Sequence, residues 1–195
     1  MHALTMAHLH IVKRILRYLN GSVGRGILMK PNCHTDIMGY TDVDWAGNSL
    51  DRKSTRGFCT FVGGNLVSWR SKKQTVVARS SAEAEYRAMA STACELIWLN
   101  GLLSDLGSPS SQPISLYCDN QAAMHNAYNL VFDERTKHIE VDCHYIRAQV
   151  QSKVIDTHYI RSQNQLADIF TKSLSAAQFH RLLGKLGSMN PLDPA

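Results

Sequence analysis

Four carboxylates stand where chemistry is commonly housed. Asp42 closes, or nearly closes, an extended run. Glu85 lies in the first turns of a long helical segment, Asp119 follows a short strand, and Asp168 opens a last helical segment. In mixed sheets, sites gather at strand ends. Taken singly, an Asp in such a place is usually a cap or a turn former. Taken together, four carboxylates converging on one spot would repel one another unless cations neutralised them. Hard oxygen donors select magnesium or manganese. Two such ions about 3.5–4 Å apart activate a water and stabilise a leaving alkoxide in phosphodiester cleavage. The reading requires that the four meet in space.

The elements that must position them can be read from periodicity. Leu9, Ile11, Val12, Ile15, Leu16 and Leu19 recur at helical steps, which predicts an amphipathic helix over 7–19. Gly21, Gly24 and Gly26 end it, and a short strand is expected at 27–29. Three antiparallel strands follow: 37–41 leading into Asp42, 58–62, and 66–69 after the hairpin signal Gly63-Gly64-Asn65. Ser80-Ser81 can cap a helix running to about residue 106. A strand at 114–118, a short helix at 120–127, a helix at 138–152, a strand at 154–160 and a helix at 163–172 complete the chain. The order βββαβαβα indicates an α/β fold, a mixed five-stranded sheet flanked by helices.

Composition narrows the classes. Of 195 residues, 44% are hydrophobic and 19% charged, enough for a core and too few charges for global disorder. The net charge of +5 permits a polyanionic partner without demanding one. Cys33, Cys59, Cys94, Cys118 and Cys143 are odd in number, scattered, and include no C-x-x-C pair. That argues against a disulfide framework and against zinc. The N-terminus has no signal-peptide pattern, and no apolar run is long enough to cross a membrane. No internal repeat is evident.

The joint pattern carries a resemblance. Gly39-Tyr40-Thr41-Asp42, Ser81-Ala82-Glu83-Ala84-Glu85-Tyr86, Tyr117-Cys118-Asp119-Asn120-Gln121 and Gln165-Leu166-Ala167-Asp168 come in the order and rough spacing of the ribonuclease H family. Further stretches resemble, more narrowly, the ribonuclease H domain of copia-type retrotransposon Pol polyproteins, C-terminal to the reverse transcriptase. These are Asp44-Trp45-Ala46-Gly47, Arg52-Lys53-Ser54-Thr55-Arg56-Gly57, Ser68-Trp69-Arg70-Ser71-Lys72-Lys73-Gln74 and Arg135-Thr136-Lys137-His138-Ile139. The resemblance implies a connecting segment over 1–34, a ribonuclease H domain over 35–175, and a C-terminal helix and tail over 176–195.

The resemblance also implies an activity: hydrolysis of the RNA strand of RNA/DNA hybrids by two-metal-ion catalysis, during retrotransposon reverse transcription. Asp42, Glu85, Asp119 and Asp168 would be the catalytic residues and metal ligands. Mg2+ is the expected cofactor, with Mn2+ able to substitute and two ions expected with substrate. Glu83 competes with Glu85, but two residues apart on a helix they cannot share a face. Glu85 shares a stripe with Met89 and Leu96 and is chosen; Glu83 reads as a helix-start charge favoured by the macrodipole. Asp44 shares a strand side with Asp42 and either supports the site or faces water. Val43 stands where the broader family commonly has glycine. The family's loop histidine has no counterpart near Asp168; His158 reads as structural, with His138 a remote alternative.

Substrate contacts are expected from Asn120 and Gln121 toward the minor groove, from Ser80 and Ser81 at a helix start, and from Lys72 and Lys73 toward phosphates. The implied partners are the hybrid and the reverse transcriptase region of the same polyprotein, with no membrane and no zinc. The implied location is intracellular, cytoplasmic in a retroelement particle or nuclear, and not secreted. The alternative is a catalytically silent retroelement remnant that only binds nucleic acid. A transposase or integrase of the same fold would place its Glu last, on a late helix; here Glu85 comes second.

Overall fold

The computed structural model describes residues 3–128 and 140–190. From the N-terminus the elements are α1 (Met6–Asn20), β1 (Gly26–Ile27), β2 (Ile37–Asp44), β3 (Thr55–Val62), β4 (Asn65–Lys73) and α2 (Ser81–Asp105). Then come β5 (Ile114–Cys118), α3 (Gln121–Tyr128), α4 (Glu140–Gln151), β6 (Ile155–Tyr159), α5 (Ala176–Lys185) and β7 (Ser188–Met189). The expected motif at 135–139, with His138 and the start of the helix placed at 138–152, lies outside the described residues.

The five long strands form one mixed sheet in the order β4-β3-β2-β5-β6. The meander β2-β3-β4 is antiparallel, while β5 pairs parallel with both β2 and β6. This is the expected α/β architecture. The β3-β4 hairpin closes through Gly63 and Gly64, at φ 56° and 76°. Two successive left-handed residues match the twist of the strands, and glycine adopts them without strain.

Helices cover both faces. On one face α2 lies along β2, and α4 packs beside it. Ile37, Met89, Ala93, Leu96, Leu116, Ile146 and Ile155 form the core there. Gly39 permits the approach, because a Cβ at that position would meet Leu96 Cδ1 at 2.9 Å. On the other face Cys59, Phe61 and Leu66 pack against Leu166, Leu182 and Leu186.

The covering of that second face departs from expectation. The helix expected at 163–172 is instead two 3₁₀ turns, Ser162–Asn164 and Leu166–Phe170. Gln165 separates them in extended conformation, φ −68° and ψ 109°. Its buried side chain explains the break: Nε2 donates to Thr41 O at 3.0 Å, and Oε1 accepts from Ala167 N at 3.2 Å. A tertiary bond to β2 and a local cap together outweigh continuation of the helix.

The N-terminal segment is built differently. Thr5 and His8 cap α1 reciprocally, yet none of its residues is buried. Its apolar stripe is half-exposed, and Tyr18 makes an edge contact on Phe179 of α5 with centroids 6.1 Å apart. The short strand expected at 27–29 is found at β1, paired antiparallel with β7. All five cysteines are free thiols. Among the described residues no helix is long and apolar enough to cross a membrane.

Candidate metal centre

β2 and β5 are adjacent and parallel, so their carboxyl ends lie side by side. Asp42 sits near the end of β2, and Asp119 directly follows β5. Along β2 the side chains alternate, with Thr41 facing α2 and Tyr40 the other core. Asp42 therefore points away from α2. Glu85, from the second turn of α2, reaches the same end of the sheet. One ligand atom each from Asp42, Glu85 and Asp119 lies within 4.8 Å of the others. Asp42 and Glu85 are buried, and Asp119 is half-buried.

Asp168, the fourth expected ligand, stands outside that cluster and approaches Asp42 from the second face. It is buried on the Leu166–Phe170 turn, and both Thr171 N and Lys172 N donate to its carbonyl oxygen. That turn brings Lys172 beside it. Lys172 Nζ donates to Asp168 Oδ1 at 2.8 Å and to Asp42 Oδ1 at 2.9 Å. The Thr171 hydroxyl donates to the second oxygen of Asp42. The turn comes this close because Gly57 of β3 stands opposite Asp42 in the sheet. A Cβ at Gly57 would meet Thr171 Cγ2 at 2.7 Å and Phe170 Cβ at 2.8 Å.

The electrostatics follow from packing acids together. Burial pushes the Glu85 carboxyl well above the usual range, and the charges of Asp42 and Asp119 push the same way. The Lys172 charge and, after it, the Val43 N–H oppose them. Burial likewise raises Asp168, to about 6, against the lowering pull of the Lys172 hydrogen bond. Burial alone would lower Lys172, but Asp42 and Asp168 outweigh it and hold the ammonium above its ordinary value. Such a group of hard oxygen donors, too close to share their charge comfortably, fits a divalent cation.

The other residues singled out from sequence fall around this centre. Glu83 is turned away: its carboxylate accepts from Arg79 N at 2.7 Å and from Arg87 at 3.2 Å. The Asp44 carboxylate folds over the following turn, where a Cβ at Gly47 would come within 1.9 Å of its Oδ2. Ser80 caps α2 by accepting from Glu83 N at 3.1 Å, and Ser81 is exposed beside it. Asn120 caps α3, accepting from Ala123 N at 2.9 Å, and Gln121 is exposed. Lys72 and Lys73 are exposed on edge strand β4, Lys73 pairing with Asp51 at 2.9 Å. His158 is a ring neighbour of Tyr117, at 5.2 Å, and pairs with Asp156.

Sequence reasoning missed Lys172, Thr171, Gln165 as a tether, and Ser162, whose hydroxyl donates to Asp119 Oδ2 at 2.7 Å. The spacing of Asp168 and Lys172, four apart, was a usable signal for a pair. The role of Gly57 becomes visible only once the β2-β3 register is known.

The sheet order and its helical cover define a ribonuclease H-type fold. Among solved structures, LC11-RNase H1, isolated from compost by a metagenomic approach, aligns with a TM-score of 0.50 at 17% identity, over 70% of this chain and 93% of that one. That likeness concerns the fold. No family model matches the chain. Its sequence is 44% identical over 187 residues to the retrovirus-related Pol polyprotein from transposon RE1 of Arabidopsis thaliana, covering 96% of this chain and 13% of that protein. It is 38% identical over 172 residues to the corresponding polyprotein from transposon TNT 1-94 of Nicotiana tabacum, covering 88% of this chain and 13% of that one. Over most of its length the chain is thus similar to one segment of the retrovirus-related Pol polyproteins of transposons, and it spans about 13% of the length of these relatives.

Proposed function

We propose that this segment is a ribonuclease H: a metal-dependent endonuclease that hydrolyses the RNA strand of an RNA/DNA hybrid during retroelement reverse transcription. The observation that carries the reading is the convergence of Asp42, Glu85 and Asp119 within 4.8 Å, with Asp168 joined to Asp42 through Lys172. Asp42, Glu85 and Asp119 would hold one Mg2+ or Mn2+ ion, and Asp42 with Asp168 a second. Bound there, the ions supply activation of a water and stabilisation of the leaving alkoxide. The chain's own part is positional. β2 and β5 fix two carboxylates rigidly, α2 delivers Glu85 over the strand ends, and the Gln165 tether holds the Asp168 turn against β2.

The substrate surface extends along the sheet. Asp42, Gly57 and Ser71 form one cross-strand row, so the Arg70–Lys73 end of β4 lies about 10 Å from Asp42 on strand spacing alone. Lys72 and Lys73 would meet phosphates there. Asn120, Gln121, Ser80 and Ser81 open the helices that flank the centre, where amides and hydroxyls would meet the hybrid's minor groove and backbone. The half-exposed stripe of α1 suits contact with the reverse transcriptase region of the same polyprotein, in keeping with a connecting segment over 1–34 and a nuclease domain over 35–175.

The test is a labelled RNA/DNA hybrid incubated with the purified chain in Mg2+, in Mn2+ and in chelator, beside Asp42→Asn. Metal-dependent cutting of the RNA strand alone, lost in Asp42→Asn, is the expected result. No cutting by a folded chain, with or without an added reverse transcriptase region, would leave a silent remnant.

A further inference from the structure

The two halves of the carboxylate group differ in the donors that touch them, although the Lys172 charge is felt at Glu85 as well. Around Glu85 and Asp119 the donors are neutral: the Val43 N–H, the Cys118 thiol at 3.9 Å from Glu85 Oε2, and the Ser162 hydroxyl. Around Asp42 and Asp168 the donor is a full positive charge, the Lys172 ammonium, bridging one oxygen of each. Asp42 is almost wholly buried, at 1% side-chain exposure, whereas Lys172 is 35% exposed. The lysine therefore reaches inward from the surface on a flexible four-carbon stem, and it can swing back to water without disturbing the core.

We propose that Lys172 is a resident counter-cation for the Asp42–Asp168 half of the site, holding these carboxylates together and competing directly with a divalent ion for their oxygens. This rests on the metal-binding reading above. An ion seated among Asp42, Glu85 and Asp119 can take the Asp42 oxygen that the neutral Thr171 hydroxyl holds and leave the Lys172 bridge in place. One seated between Asp42 and Asp168 must first displace an ammonium. Lys172 thus sets the metal concentration at which the second position fills, and it keeps the Asp168 turn in place below that concentration. In this role it is a positioning residue.

The experiment is a Mn2+ titration of the full chain, followed by paramagnetic resonance, on wild type, Lys172→Met and Lys172→Arg, with folding checked by circular dichroism. Lys172→Met is expected to tighten the weakest resolved binding step by about tenfold, the scale of removing one charge a few ångströms from a cation in partly hydrated surroundings. Lys172→Arg keeps the charge and is expected to stay within about threefold of wild type. Unchanged or weaker Mn2+ binding in folded Lys172→Met would overturn the proposal while leaving the metal centre standing. Failure of wild type to bind Mn2+ would overturn both. Should Lys172→Met not fold, amine acylation of wild type read by mass spectrometry decides the matter. Labelling of Lys172 should rise on adding Mn2+, and labelling indifferent to Mn2+ would sink the idea.

Discussion

The two sides of the carboxylate centre are built by opposite strategies. Asp42, Glu85 and Asp119 stand on or directly beside regular elements, two parallel strands and a helix of 25 residues whose positions are set by backbone hydrogen bonds and a continuous core. Asp168 stands on a short 3₁₀ turn held by single contacts: the Gln165 amide on Thr41 O, close packing over Gly57, and the Lys172 bridge. The first side is fixed by many small terms, so no one supporting residue controls it. The second is fixed by a few, so each matters, and the Asp168 side is where the centre can be adjusted.

Substitutions should separate the sides by the size of their effects. Asp42 belongs to both, touching the Glu85–Asp119 group and the Lys172 bridge. Asp42→Asn should therefore have the largest effect on hybrid cleavage, a loss of about 10⁴-fold, the scale on which removal of a central reacting group is felt in hydrolases. Residual cleavage within tenfold of wild type would remove Asp42 from the centre. Next comes Gly57→Ala. Its methyl would press on Phe170 and Thr171, a strain of about 1–3 kcal/mol. That corresponds to a fall of roughly 2–10 °C in melting temperature for a chain of this size. Cleavage should fall with it, because the Asp168 turn is displaced, while the strand-borne carboxylates stay where they are. A melting temperature and rate equal to wild type would show that the turn tolerates the shift.

Legibility in the sequence follows the same division. The α2 segment announced itself by its Ser80 cap and its apolar stripe, and those features also separated Glu85 from Glu83. The β3-β4 hairpin was plain in Gly63-Gly64-Asn65. These signals are local and repeat with the period of the element. The region around Asp168 has no such period: Leu166, Ala167, Ile169 and Phe170 read as helix, whereas a single long-range bond from Gln165 to β2 decides otherwise. Gly57 reads as an ordinary strand glycine until its partner across the sheet is known. Lys172 reads as a surface charge until Asp42, 130 residues earlier, is brought beside it. What sequence periodicity cannot encode is contact between distant, irregular segments.

Gln165→Ala is expected to act next in size. It leaves Thr41 O without its donor in a buried place, which costs about 1–3 kcal/mol. Thermal melts should show it, and Asn at the same position, being one methylene shorter, should not restore the loss. Full restoration by Asn would mean that the amide's reach is not what ties the turn to β2.

The smallest effect concerns pH and tests whether the Asp168 side carries its charge at a cost. The folded Asp168 carboxyl is raised to about 6 from an ordinary value of 3.8. A raised carboxyl favours folding in its protonated form. The associated stability is present in full below the ordinary value and is lost as pH rises through about 6. In chelator, Asp168→Asn cannot ionise and escapes that loss. Its melting temperature, measured relative to wild type, should therefore climb by a few degrees between pH 5 and pH 7.5. Saturating Mn2+ should cancel the climb, since a bound cation favours the ionised carboxylate of wild type. A difference between the two proteins that is flat with pH in chelator would mean that Lys172 already neutralises Asp168 completely, making the lysine rather than the burial of the acid the dominant force on that side.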